Sequence, residues 1–303
     1  MSPKKTGSAQ MSKKSVRKRP GVAAGVGLER RMAIGANLAD VAARKYKKVA
    51  AEQVGAAPKG LILAEGDSWF DYPFNDVLSK LEDLGWEIAS SAHRGDTLEG
   101  MTYDQLDRMA AQCHKLAQRK LKPRAILLSG GGNDIAGPEL VPLLNHRKSR
   151  LPAISATAVK AVIDERIRAV LGDWIGAVQR LCEIYFKDTV PIFLHGYDYM
   201  VPDGRGVLGG WGPLPGPWLQ PSLFRKGYDD LTQSKAIMKD LVDSFNVTMA
   251  DVAARATGVT YIDLRGTLSA TLANEKYKDS WGNEIHPTGD GYAAVAAKID
   301  AVI

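Results

Sequence analysis

A chain of 303 residues, 45% hydrophobic and 24% charged, can bury a sizeable core, which excludes a disordered or collagen-like polymer; two cysteines exclude a disulfide scaffold. The net charge of +6 suggests a nucleic-acid binder only until it is located. Lys4, Lys5, Lys13, Lys14, Arg17, Lys18 and Arg19 all precede residue 21 with no acid among them, and the rest of the chain is close to neutral.

Residues 1–22 therefore read as a disordered basic tail, either a solvated leader or a weak contact for an anionic polymer or surface. The stretch from Gly21 to Leu28 is short, glycine-rich and closed by Glu29-Arg30-Arg31, so no secretory signal is expected. The cytoplasm is the default compartment, with export by another route left open. Nowhere do 18 apolar residues run together, so no transmembrane helix is expected.

Residues 23–303 are expected to form one domain, opening with a helix over 27–53 where apolar and basic residues alternate at helical spacing. Five apolar runs of near-strand length follow, at 61–66, 86–92, 124–130, 190–196 and 259–264. Helix-length stretches separate and close them, at 74–84, 97–120, 157–187, 222–257 and 289–302. Strands apolar throughout and separated by helices predict a parallel sheet covered on both faces, a three-layer α/β/α sandwich, with ligands at the carboxyl edge of the strands. Two connections break the rhythm: the polar, proline-containing 137–152 and the Gly/Pro/Trp-rich loop 197–221, whose length suits a lid or binding wall. Cys113 and Cys182 have neither metal nor redox spacing and read as core or near-surface thiols.

The strand ends carry the chemistry. After the first run come Gly66-Asp67-Ser68, a serine placed where strand gives way to helix; taken alone, an N-cap serine would look the same. After the second come His93-Arg94-Gly95-Asp96, where a glycine lets the backbone N–H approach a ligand. After the third come Gly130-Gly131-Gly132-Asn133-Asp134, where Asn133 offers an amide donor. Before the last helix comes Trp281-Gly282-Asn283-Glu284-Ile285-His286-Pro287. Asp67 and Asp134 are expected to hold their turns by side-chain to backbone bonds.

Ser, Gly, Asn and His, in that order and each at a strand edge, resemble the SGNH hydrolase superfamily of GDSL-type esterases and lipases, over roughly residues 60–303. The resemblance implies a flavodoxin-like sandwich with a five-stranded parallel sheet. It also implies Ser68 as nucleophile, His286 as base, and an oxyanion hole from the Ser68 and Gly95 N–H groups and the Asn133 side chain. Each such donor is worth about 2.7–4 kcal/mol of transition-state stabilisation.

The family places Asp three residues before the histidine; this chain has Asn283 there. Glu284, nearest in sequence, is the leading expectation for the acid, with Asp279, an orienting Asn283 or a Ser-His dyad as alternatives. Trp69, Trp211, Trp218 and His195 are candidates for the substrate wall, although His195, like His93, reads equally well as a structural histidine. No metal or dinucleotide motif is present, so no cofactor is expected. The expected activity is hydrolysis of a small-molecule, lipid or carbohydrate ester. A carbohydrate O-acetyl esterase or thioesterase would use the same machinery, and a catalytically degenerate binding module with a basic tail is the reading from another class.

Overall fold

The computed structural model describes residues 58–73, 75–207 and 214–303; the expected tail, the expected helix over 27–53 and Trp211 lie outside the described residues. Five strands, β1 (Gly60–Gly66), β2 (Trp86–Ser90), β3 (Ala125–Ser129), β4 (Ile192–His195) and β5 (Val259–Ile262), fall on the five apolar runs. They form one parallel sheet in the order β2-β1-β3-β4-β5. All of β3 and most of β1 are buried, as strands covered on both faces must be, whereas the edge strand β2 is only partly covered.

The helices are α1 (Val77–Asp83), α2 (Leu106–Gln118), α3 (Arg168–Phe186), α4 (Gln220–Arg225), α5 (Leu231–Arg255) and α6 (Gly289–Asp300). The step from β1 to β2 runs in one direction across the sheet and the later steps run in the other. Right-handed crossovers therefore put α1 on one face and α2, α3 and α5 on the opposite one. Accordingly, α1 packs on α6, while α2 packs on α3 and α3 on α5.

Local chemistry explains the departures from the expected helices. The stretch expected from residue 97 opens as a π-helical turn, Gly100–Asp104, before α2. That expected over 157–187 starts as Ala156–Val159, runs π-helical through Lys160–Ile167, continues as α3 and ends at a left-handed Lys187. The helix expected over 222–257 is divided: Tyr228 turns inward, its hydroxyl donating to Asn145 O at 3.0 Å, and Asp230 restarts the helix by accepting from Gln233 N at 2.7 Å. The connection 137–152 contains a 3-10 helix, Gly137–Leu143, whose Leu140 and Leu143 are buried. Both cysteines are buried, and burial pushes their thiols up to about 12 for Cys113 and about 11 for Cys182.

The reversal of strand order falls between β1 and β3, so the loops leaving those two strands diverge and open a crevice at the carboxyl edge. Gly66 ends β1 opposite Ser129 of β3. A Cβ on Gly66 would stand 2.6 Å from Ser129 O and 2.9 Å from the Phe70 ring, so only glycine lets the chain turn here. Gly66→Ala is expected to destabilise the fold by about 1–3 kcal/mol, the usual cost of overpacking, read as a lower urea midpoint with an unchanged slope.

Candidate active site

The turn after β1 is built by its own acid. Asp67 Oδ1 accepts from Trp69 N at 3.0 Å, and the Asp67 carbonyl accepts from Phe70 N at 3.0 Å and Asp71 N at 3.2 Å. These bonds leave Ser68 half-buried at the mouth of the crevice. Asp67 itself is buried; Oδ1 also accepts from Ser129 Oγ at 3.1 Å and Oδ2 from the Tyr197 hydroxyl. Burial pushes its carboxyl up to about 6 against the pull of these donors.

His286 reaches this turn from the far end of the chain. Its Nε2 lies 2.8 Å from Ser68 Oγ. Asn283 Oδ1 faces three nitrogens: His286 N at 2.9 Å, Ile285 N at 3.1 Å and His286 Nδ1 at 3.1 Å. Two of these are backbone N–H groups, which fixes the Asn283 oxygen rather than its NH2 toward the ring. The imidazole hydrogen therefore sits on Nδ1, and Nε2 is left to accept the serine hydroxyl. Asn283 Nδ2 donates to the Tyr72 hydroxyl at 3.1 Å, and the Tyr72 ring stacks on the imidazole, 4.2 Å between centroids. The Trp218 ring stands edge-on to the imidazole at 5.3 Å. Enclosed this way, His286 is 4% exposed, and burial lowers its pKa to about 3.

The donors expected for an oxyanion lie on the neighbouring loops. Gly95 has φ +84, a conformation glycine adopts without strain, and a Cβ there would meet nothing within 4 Å. Its loop is tied down by His93 N to Gly66 O at 2.9 Å, Leu98 N to Asp134 Oδ2 at 2.9 Å and Asn133 Nδ2 to Asp96 O at 2.8 Å. The last bond uses one of the two Asn133 amide hydrogens and orients the other. The backbone N–H groups of Ser68 and Gly95 donate to no partner among the described residues.

Several expected site residues take other places. Glu284 is fully buried, and its carboxylate accepts from the backbone amides of Gly204, Trp218, Leu219 and Gln220, so it is not the partner of the imidazole. The bends through residues 282–286 turn Asn283 toward the histidine and Glu284 away from it. Asp279 is exposed; its carboxylate has no hydrogen-bond partner among the described residues, and its backbone carbonyl accepts from Thr288 Oγ1 at 2.8 Å. His195 is completely buried, donating Nδ1–H to Gly196 O at 2.8 Å beneath Trp69 and Phe70, and burial lowers its pKa to about 4. It can touch no substrate. Trp69, 3% exposed, is likewise no wall; its indole N–H donates to Ile285 O at 3.0 Å and ties the serine turn to the histidine segment. Trp218 does border the site, and the exposed His93 faces Asp96 at 3.4 Å.

Two contributors went unread in the sequence. Tyr72 follows Ser68 by four residues, yet no spacing rule selects it. Tyr197 accepts from Gly132 N at 3.3 Å while donating to Asp67, linking the loops after β1 and β3. Among the described residues, no three His, Cys, Asp or Glu side chains gather as a metal ligand set, and no helix is long and apolar enough to cross a membrane.

The family model for the GDSL-like lipase/acylhydrolase family matches residues 51–294. No curated protein matches the chain. Similar solved structures include a Streptococcus pneumonia protein provisionally described as a platelet activating factor, at 15% identity and TM-score 0.46, covering 92% of this chain and 98% of that one. A protein from Slackia heliotrinireducens, provisionally described as an SGNH hydrolase, is 12% identical with TM-score 0.45, covering 80% and 97%. An acetylxylan esterase from Geobacillus stearothermophilus is 12% identical with TM-score 0.43, covering 80% and 94%.

The folded imidazole binds its proton near pH 3 and the unfolded one near 6.5, so this group supports the folded state above pH 6.5 and withdraws that support as pH falls toward 3. Ring nitrogen chemical shifts across a pH series are expected to keep His286 neutral, with its hydrogen on Nδ1, at about pH 5. Asn283→Asp is expected to move the titration up by roughly one unit or more, because a carboxylate on Nδ1 favours the imidazolium. A wild-type ring that charges at its ordinary value would contradict the neutral, buried environment.

Proposed function

The chain belongs to the GDSL-like lipase/acylhydrolase family and is an ester-hydrolysing enzyme, and from that premise we propose that it cleaves carboxylic esters through an acyl intermediate on Ser68. The observation that carries this reading is the relay of Ser68 Oγ to His286 Nε2 at 2.8 Å and His286 Nδ1 to Asn283 Oδ1 at 3.1 Å.

As Ser68 Oγ attacks the ester carbonyl carbon, its proton passes to His286 Nε2 and the carbonyl oxygen becomes an oxyanion. The Ser68 and Gly95 N–H groups and the remaining Asn133 amide hydrogen are the donors for that oxygen. Collapse of the tetrahedral intermediate breaks the bond to the alcohol oxygen, which takes the proton back from His286. Water then attacks the acyl-serine with His286 again as base, releasing the carboxylic acid and restoring the hydroxyl.

Asn283 changes the energetics without changing the route. An amide in this position can turn its NH2 toward the ring and enforce the wrong tautomer, a fault worth about 10⁴ in rate in a serine protease. Here two backbone N–H groups hold Oδ1 toward the ring, so the tautomer is correct and only the negative charge is missing. The imidazolium formed in each step is therefore held by a neutral acceptor, and its charge is balanced chiefly by the oxyanion. A charge-assisted bond exceeds a neutral one by about 1 kcal/mol or slightly more.

A fluorophosphonate probe is expected to label the wild-type enzyme and not Ser68→Ala; an unlabelled, folded wild type would remove the reading. On p-nitrophenyl acetate, Asn133→Ala is expected to lower kcat roughly 10²–10³-fold. Asn283→Asp is expected to raise kcat about tenfold.

A further inference from the structure

Glu284 is a buried carboxylate that the reaction does not use. Each of its oxygens accepts two backbone amides: Oε1 from Gly204 at 2.9 Å and Gln220 at 3.0 Å, Oε2 from Trp218 at 2.6 Å and Leu219 at 2.7 Å. No Lys or Arg side chain pairs with it among the described residues, so its charge is met by amide dipoles alone. Those amides come from two arms of one loop, and the arms are joined by Val207 N donating to Pro215 O at 2.9 Å. The same loop grips the histidine segment a second time, through the Arg205 guanidinium on Trp281 O at 3.0 Å and Gly282 O at 3.2 Å.

Trp218 is held through both its N–H and its carbonyl. Its N–H is on Glu284, its carbonyl accepts from Gly137 N at 2.9 Å, and its half-buried ring meets the imidazole edge-on. Glu284 and His286 are two residues apart on one segment, so whatever sets the loop against Glu284 also sets Trp218 against His286. We propose that Glu284 is a positioning residue: by binding both arms of the 204–220 loop it seats Trp218 as the wall of the ester pocket and so governs which esters reach Ser68. The inference rests on the reading of Ser68 as the nucleophile.

An Asp in this place would keep the charge but withdraw it by one methylene, out of reach of both arms at once. A Gln would present an NH2 to a ring of N–H donors and leave two amides without an acceptor. In either variant the loop loses its seat while the Ser68–His286–Asn283 relay keeps all its atoms.

The test is a double-mutant cycle on the full chain with Glu284→Gln, Trp218→Ala and the pair, measuring kcat and KM for p-nitrophenyl acetate and butyrate and fluorophosphonate labelling of Ser68. Glu284→Gln is expected to lower kcat/KM roughly 10- to 100-fold, chiefly through KM, and to alter the acetate-to-butyrate ratio. In the Trp218→Ala background the same substitution is expected to add less than about threefold. Losses that multiply, or a Glu284→Gln enzyme with wild-type constants, would overturn the proposal. If thermal melting finds Glu284→Gln unfolded, Glu284→Asp replaces it in the same cycle and is held to the same two outcomes. Labelling separates the two readings: an unlabelled wild type overturns Ser68 as nucleophile, whereas labelled variants with independent losses overturn only the role of Glu284.

Discussion

The contact between Ser68 and His286 joins residues 218 positions apart, and it depends on two short turns that are each held by their own backbone. Asp67 closes one by accepting amides ahead of it in the chain, and Asn283 closes the other in the same way. The Trp69 indole then bolts the first turn to the second through Ile285 O. The polar contact would not survive as a free pair in water, where a hydroxyl and an imidazole gain little by meeting. What fixes their geometry is that the turns bearing them are already rigid and share a buried bond. The sheet contributes by ending β1 and β3 side by side at the point where the strand order reverses, so that Ser68 and Asn133 emerge into one crevice.

The electrostatic character of the site follows from what surrounds the imidazole. Tyr72 covers one face, Trp218 approaches its edge and Asn283 supplies an uncharged acceptor, so the ring is kept neutral and dry at rest. As the proposed base, a neutral imidazole with a fixed tautomer has a free Nε2 to take a proton but no resident carboxylate to share the charge that would result. In the proposed reaction the counter-charge is present only while the oxyanion exists, which would place much of the electrostatic stabilisation on the transition state rather than on the resting enzyme.

Much of this arrangement could be read from residues alone. The apolar runs fell on strands because strands buried on both faces have little room for anything else, and the four polar blocks were legible because a parallel sheet sends its strand ends to one edge. The third member of the relay was not settled by spacing. Asn283 and Glu284 are neighbours of similar reach, and only the irregular path of the segment decides which turns toward the ring. Glu284 finds its partners 64 to 80 residues earlier, in a loop with no periodicity to reveal it. The places of His195 and Trp69 stayed open for a related reason: a polar or aromatic residue at a strand end can point into the crevice or beneath it, and the choice is made by packing on Phe70, Tyr197 and Trp281. The break before Asp230 depends on Tyr228 reaching a distant carbonyl, information that helical patterning cannot carry.

The bond from Glu284 N to Arg205 O at 3.2 Å has a consequence for chemical ageing. Conversion of an asparagine to aspartate by way of a succinimide requires the backbone nitrogen of the following residue to attack the side-chain carbonyl carbon. At Asn283 that nitrogen is donating to Arg205, and the side-chain oxygen is held by three N–H groups. The position where this chain lacks a carboxylate is thus one whose backbone is held back from making one spontaneously, and the neutral relay is protected against drift over the lifetime of the folded molecule.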